Sequence, residues 1–156
     1  MNRLRGNRGF SLIELMVVLT IMSVLVRLSM PAMATYRRHA VTAKALNDFN
    51  VVRSAAYAQF EATGVFPPEA AAGAMPQGSA QFLPRGFSFT RAEYELDWDH
   101  VTITDSTNTP GYVTMLTVVV PDSLLGHSMI RKLGASTTHW SVGNAHTFVV
   151  ASSSGQ

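Results

Sequence analysis

A chain of 156 residues has room for one domain of ordinary size with a core of its own, and its lack of cysteine excludes internal disulfides, thiol nucleophiles and Cys-type metal sites. The formal charge of +2 would suit a nucleic-acid partner, but Arg3, Arg5 and Arg8 fall within the first nine residues. Without them nine basic residues face ten acidic ones, a net charge of −1, so composition gives no support to nucleic-acid binding.

From Phe10 to Val26 every side chain is apolar or small except Glu14. An ionisable group at the centre of a membrane helix costs ~2.5 to 3.5 kcal/mol on insertion scales, so a lone carboxylate in such a run points to a task. Phe10 to Met30 is 21 residues, which gives ~31 Å of helix against a hydrocarbon thickness of ~30 Å. Arg27 lies where a long side chain reaches the far interface. An ordinary secretory signal would use Leu15 to Val26 as its apolar core and Ala32-Met33-Ala34 as its cleavage site. Glu14 at the edge of that core and Arg27 after it count against this, and an uncleaved anchor on an unrelated domain meets the same objection from Glu14.

The run Arg8-Gly9-Phe10-Ser11-Leu12-Ile13-Glu14-Leu15-Met16 closely resembles the class III signal of type IV pilins and of the pseudopilins of type II secretion. The resemblance implies that a membrane-embedded prepilin peptidase cuts between Gly9 and Phe10 and that Phe10 becomes N-methylated. It makes Glu14 the acid that pairs charges during assembly. Pro31 and Tyr36 match family positions further along. The partners implied are the peptidase, other pilin-like subunits and an inner-membrane assembly platform, with no cofactor. The expected location is the bacterial inner membrane, in a single pass, with the remainder in the periplasm or on an extracellular filament.

Pro31 lacks an N–H and its ring crowds the Arg27 carbonyl, which predicts a kink. Ala32 to Ala62 holds neither Gly nor Pro. Apolar residues at Ala45, Leu46, Phe49, Val52, Ala56 and Phe60 form one stripe, and Arg37, Arg38, Lys44, Asp48, Arg53 and Glu61 are assigned to the opposite face. Gly64 supplies the stop. Gly64-Val65-Phe66-Pro67-Pro68 resembles the glycine-aromatic-proline turn that follows the long helix of many pseudopilins, and the Ala-, Gly- and Pro-rich stretch after it reads as a surface loop.

Tyr94, Leu96 and Trp98 alternate with Glu93, Glu95, Asp97 and Asp99, the pattern of a strand with one apolar and one acidic face. The apolar parity then switches to Val101 and Ile103, which predicts a bulge near Asp99-His100. Asp105 to Gly111 is a turn and Tyr112 to Val120 a buried strand closed by Pro121. Asp122 or Ser123 caps a short helix whose Leu125, Met129, Ile130 and Leu133 share a face, ended by Gly134. A hairpin follows, turning at Gly143-Asn144, with Trp140, Val142 and Val149 assigned to the core.

The expectation is therefore an α+β, pilin-like fold: a long kinked helix, half membrane-spanning and half amphipathic, packed on a small antiparallel sheet with one short inserted helix. The divisions are a leader at 1–9, a membrane or filament-core segment at 10–30, an amphipathic segment at 31–63, a connection at 64–92, a β head at 93–151 and a tail at 152–156. The function expected is that of a structural subunit, not an enzyme, of a type II secretion pseudopilus or a type IV pilus. A minor pilin holding DNA for uptake is the rival from the binding class, and the near-neutral processed charge opposes it.

Sites in the second half are weak. Asp97, Asp99 and Asp105 are candidate calcium ligands, set against a solvated strand face. Some pilins bind calcium near the C-terminal end, but no carboxylate side chain follows Asp122 here. His139 and His146 fall on one face of the hairpin as diagonal neighbours, too few for a metal site and assigned to surface polarity. Asp97, Asp99 and His100 form no triad with any particular serine.

Overall fold

The computed structural model describes residues 10–104, 108, 110–121, 123–133 and 137–153. Gly9, Asp105, Asp122 and Gly134 therefore lie outside the described residues. The elements, in order, are α1 (Leu12–Thr63), a short 3-10 turn (Ser79–Gln81), β1 (Glu95–Thr104), β2 (Pro110–Val119), α2 (Ser123–Leu133), β3 (His139–Val142) and β4 (Ala145–Ser153). The chain folds as α+β and separates into two units, 1–39 and 40–156.

In the first unit every described residue is exposed, and helix continues through Pro31. The hydroxyls of Thr20, Ser23, Ser29 and Thr35 donate to carbonyls three or four residues back (Met16, Thr20, Leu25 and Pro31, at 2.8–3.1 Å). These four hydroxyls are thus satisfied by their own helix and add no outward polar demand to its apolar surface, in which Glu14 and Arg27 are the charged groups.

The second unit is built on a four-stranded antiparallel sheet in the order β1-β2-β4-β3. Its inner face carries Leu96 and Trp98 of β1, Leu116 and Val118 of β2 and Phe148 of β4, all fully buried. From Ala40 onward α1 lays one stripe on this face: Thr42, Ala45, Asp48, Phe49, Val52, Ala55, Ala56 and Gln59 are buried at spacings of three and four. The Phe49 and Phe148 rings meet edge-on, centroids 5.5 Å apart, an arrangement favoured by the ring quadrupole. Gly64 (φ 76) ends α1, its N–H donating to the Phe60 carbonyl at 2.7 Å.

The connection after Gly64 is part of the core, not a loose surface loop. Phe66, Leu83 and Phe89 are buried, and the Trp98 indole donates to the Pro67 carbonyl at 3.1 Å. Phe66 stacks on Phe60 at 4.6 Å and meets Tyr112 of β2 at 5.4 Å. Backbone bonds from Ala70 N–H to the Trp98 carbonyl (3.2 Å) and from Gly73 N–H to the Leu96 carbonyl (2.9 Å) lay it along the outer edge of β1. Gly73 has φ 73, and a Cβ there would strike Glu95 and Thr90, so this approach admits only glycine.

The bulge lies elsewhere than expected. β1 pairs with β2 without a break from Glu95↔Val119 to Thr104↔Pro110, and the slip comes in β4, where Thr114 faces Ala151 and Met115 faces Val149. The parity conflict in β1 is resolved by leaving Val101 and Ile103 exposed on the outer face. In β4 Val150 is the extra residue, and its carbonyl accepts the Tyr57 hydroxyl of α1 at 2.9 Å, so the bulge serves as an attachment for the helix.

The hairpin turns at Gly143-Asn144 but presents the other face to the core. Register pairs His139 with Phe148 and Ser141 with His146, and these residues point inward. Trp140 is 44% exposed and Val142 72%, on the outer face. Phe148 lies opposite Leu116 on the face that α1 covers, and that pairing fixes the parity of the whole hairpin. α2 packs on the same inner face through Leu125 and Met129.

Gly126 sits inside α2, where glycine costs about 1 kcal/mol against alanine, yet a Cβ there would fall within the contact radius of the His146 imidazole. Gly126→Ala is therefore expected to destabilise the fold by about 1 to 3 kcal/mol despite its better helix propensity, as overpacking does. Urea unfolding of the full chain in detergent micelles, followed by near-ultraviolet dichroism, measures this.

Candidate functional site

Phe10 precedes α1 and is exposed, and Glu14 lies in the first turn of the helix. A carboxylate there is favoured by the partial positive charge of the helix N-terminus. Along the helix the positions three, four and seven residues on from Glu14 are Val17, Val18 and Ile21, so one acid is set beside an apolar surface. Among the described residues no hydrogen bond or ion pair reaches it. α1 is long and apolar enough to cross a membrane, and no part of its apolar window is buried. Pro31 lies within α1, and Tyr36 is exposed five residues on.

In the second unit the polar groups fall into three places. The outer face of β1 carries Glu95, Asp97 and Asp99 at alternate positions, while Glu93 lies just before the strand. Burial first, and then the charges of Asp99, Glu95 and Glu69, push the Asp97 carboxyl above its ordinary range. Asp99 accepts from the Thr117 hydroxyl at 3.4 Å. Among the described residues no group of three His, Asp or Glu side chains is placed to hold a metal ion. His100 points to the opposite face of β1, bonded to the Thr114 hydroxyl at 3.1 Å and stacked on Tyr112, so strand alternation keeps it from Asp97 and Asp99.

The second place is Asp48, which the sequence pattern assigned to the solvated face of the helix. It is 5% exposed. Its Oδ2 accepts from the Tyr94 hydroxyl at 2.6 Å and from Arg91 Nε at 2.9 Å, and the Arg91 guanidinium lies over the Phe87 ring at 5.2 Å. Burial, with the bond to Asp48 and its charge, pushes the Tyr94 phenol well above its ordinary range, so it stays a donor. This network ties α1 to the turn that launches β1, where Arg91 N–H donates to the Tyr94 carbonyl at 2.9 Å.

The third is His146. His139 and His146 do share a face as diagonal neighbours, but His146 is 2% exposed, so surface polarity is not its role. Its Nδ1 lies 2.7 Å from Ser141 Oγ, and the His127 ring of α2 stands 6.4 Å away, centroid to centroid. Burial first, and then His127, lower its pKa. His139 is turned to the Thr137 carbonyl at 3.1 Å. A histidine between an alanine and a threonine on a strand carries no local sign of which face it takes, and the sequence pattern missed it for that reason.

Residues 4–26 match the family model described as the prokaryotic N-terminal methylation motif, the class III prepilin signal. No curated protein and no solved structure matches the chain.

Proposed function

We propose that this chain is a pilin-like structural subunit, not an enzyme, cut after Gly9 by a prepilin peptidase and N-methylated at Phe10. Residues 10–30 hold it in the inner membrane in a single pass, with the head on the periplasmic side, until an assembly platform draws it into a helical filament. The apolar surfaces of neighbouring helices bundle as the filament core, and Pro31 bends each helix between core and head. The filament is a type II secretion pseudopilus or a type IV pilus.

The observation that carries this reading is the methylation motif at 4–26 running into a helix whose membrane-length apolar window has no buried part, with Glu14 set in its first turn. A surface of that kind needs lipid or like helices around it. The α+β head with half of a long helix laid on an antiparallel sheet supports the same assignment.

Mass spectrometry of the mature protein from its native host tests the processing step. The chain is expected to begin at N-methylated Phe10, and Gly9→Trp is expected to leave the leader attached. A mature chain that begins at Thr35 would establish ordinary secretion instead.

A further inference from the structure

The inner face of the β3–β4 hairpin holds a group that filament assembly does not use. His146 is buried with Nδ1 on the Ser141 hydroxyl, while its Nε2 has no hydrogen-bond partner among the described residues. That nitrogen is aimed at α2, at Gly126, where the helix comes so close that no side chain would fit. Neutral imidazole tolerates this as the Nδ1–H tautomer, which donates to the Ser141 hydroxyl and leaves Nε2 without a hydrogen. The imidazolium has an N–H on both nitrogens. Its Nε2–H then points into the helix with no acceptor among the described residues, and a buried charge without a counter-ion is unstable.

Among the described residues no counter-ion for that charge is placed beside it. From α2 the group that faces it is another base, His127, and from β3 it is His139, already turned to the Thr137 carbonyl. From β2 it is Val118, its cross-strand neighbour. The buried carboxylate of α1, Asp48, is taken up by Tyr94 and Arg91.

We propose that α2 is a pH-sensitive latch, docked on β4 while His146 is neutral and released when Nε2 takes a proton from water, which uncovers Leu125 and Met129. The sign follows from linkage. A base whose pKa is lowered in the docked form binds fewer protons there than when released, so docking is at full strength above the ordinary histidine value of about 6.5 and is lost as pH falls below it. Within that window the ratio of docked to released α2 drops about tenfold per pH unit.

The test uses the full chain in detergent micelles, with carbon-13 labels on methionine methyls, leucine methyls and histidine Cε1, titrated from pH 7.5 to 4.5. The Met129 methyl is expected to move to the position of an exposed methionine with the same midpoint as His146 Cε1, below 6.5, while the Leu96 and Leu116 methyls hold still. His146→Asn keeps a partner for Ser141 but cannot titrate, and its Met129 methyl is expected to show no such transition. A Met129 methyl that stays in place while His146 titrates would overturn the latch. So would a transition that follows the His127 or His139 signal instead, one that survives in His146→Asn, or one in which the sheet methyls move together with Met129. If His146→Asn fails to dock α2 at any pH, the wild-type midpoints decide.

Discussion

If the chain is processed and assembled as proposed, Glu14→Val is expected still to be cleaved after Gly9 and methylated, yet to enter filaments about a hundredfold less well. The proposed cleavage after Gly9 would create an amino terminus at Phe10 that is cationic at neutral pH. Inside a bundle of apolar helices that cation needs a counter-charge, and the carboxylate of Glu14 on a neighbouring subunit is the one this segment supplies. Two buried charges add little net stability over an apolar pair, but one left without its partner costs ~3 to 5 kcal/mol. The pair therefore selects register among helices that would otherwise slide on featureless apolar surfaces. Valine keeps the membrane helix intact and removes only the selection. Expression in the native host, with cleavage followed by mass and incorporation by shearing and crosslinking, checks this; full incorporation of the processed variant would end the pairing hypothesis.

The second large effect is expected in the head. Asp48→Ala strips the buried Tyr94 hydroxyl and the Arg91 guanidinium of their shared acceptor. Breaking a buried pair costs ~3 to 5 kcal/mol, and because Arg91 keeps about a quarter of its side chain in water (23% exposed) the lower end applies, about 3 kcal/mol. Tyr94→Phe should cost less, about 1 to 2 kcal/mol, since Arg91 still holds the carboxylate. In the double variant the two losses should fall short of additive by about 1 kcal/mol. Urea unfolding of the full chain in micelles, read by the near-ultraviolet signal of Trp98, gives all three values. Additive losses would mean that Asp48 acts through Arg91 alone.

What could be read from the sequence follows the range of the interactions involved. The apolar run with Glu14 is a contiguous pattern and needs no fold to interpret. The helix stripe through Ala45, Phe49, Val52 and Ala56 and the alternation of Tyr94, Leu96 and Trp98 are also local, because each repeats with the period of its element. Asp48 was misplaced because its partners lie 43 and 46 residues away, and nothing near it in sequence tells a paired buried carboxylate from a solvated one. Trp140 and Val142, assigned to the core, lie on the outer face for a related reason. Both hairpin faces carry apolar residues, and the seating of Phe148 opposite Leu116 and against Phe49 decides which face turns inward. The switch of parity after Trp98 had two solutions, a bulge or an exposed strand end, and the chain takes the second while using its bulge to hold Tyr57.

The segment that lies along β1 bears on how such heads tolerate one another at close quarters. An edge strand is an open row of backbone donors and acceptors, and equal copies held side by side meet at local concentrations at which such rows zip together. Here the Leu96 and Trp98 carbonyls are already occupied by Gly73 and Ala70 of the same chain. In the proposed filament, copies of this head could therefore be packed densely without a shared sheet growing from that stretch of β1.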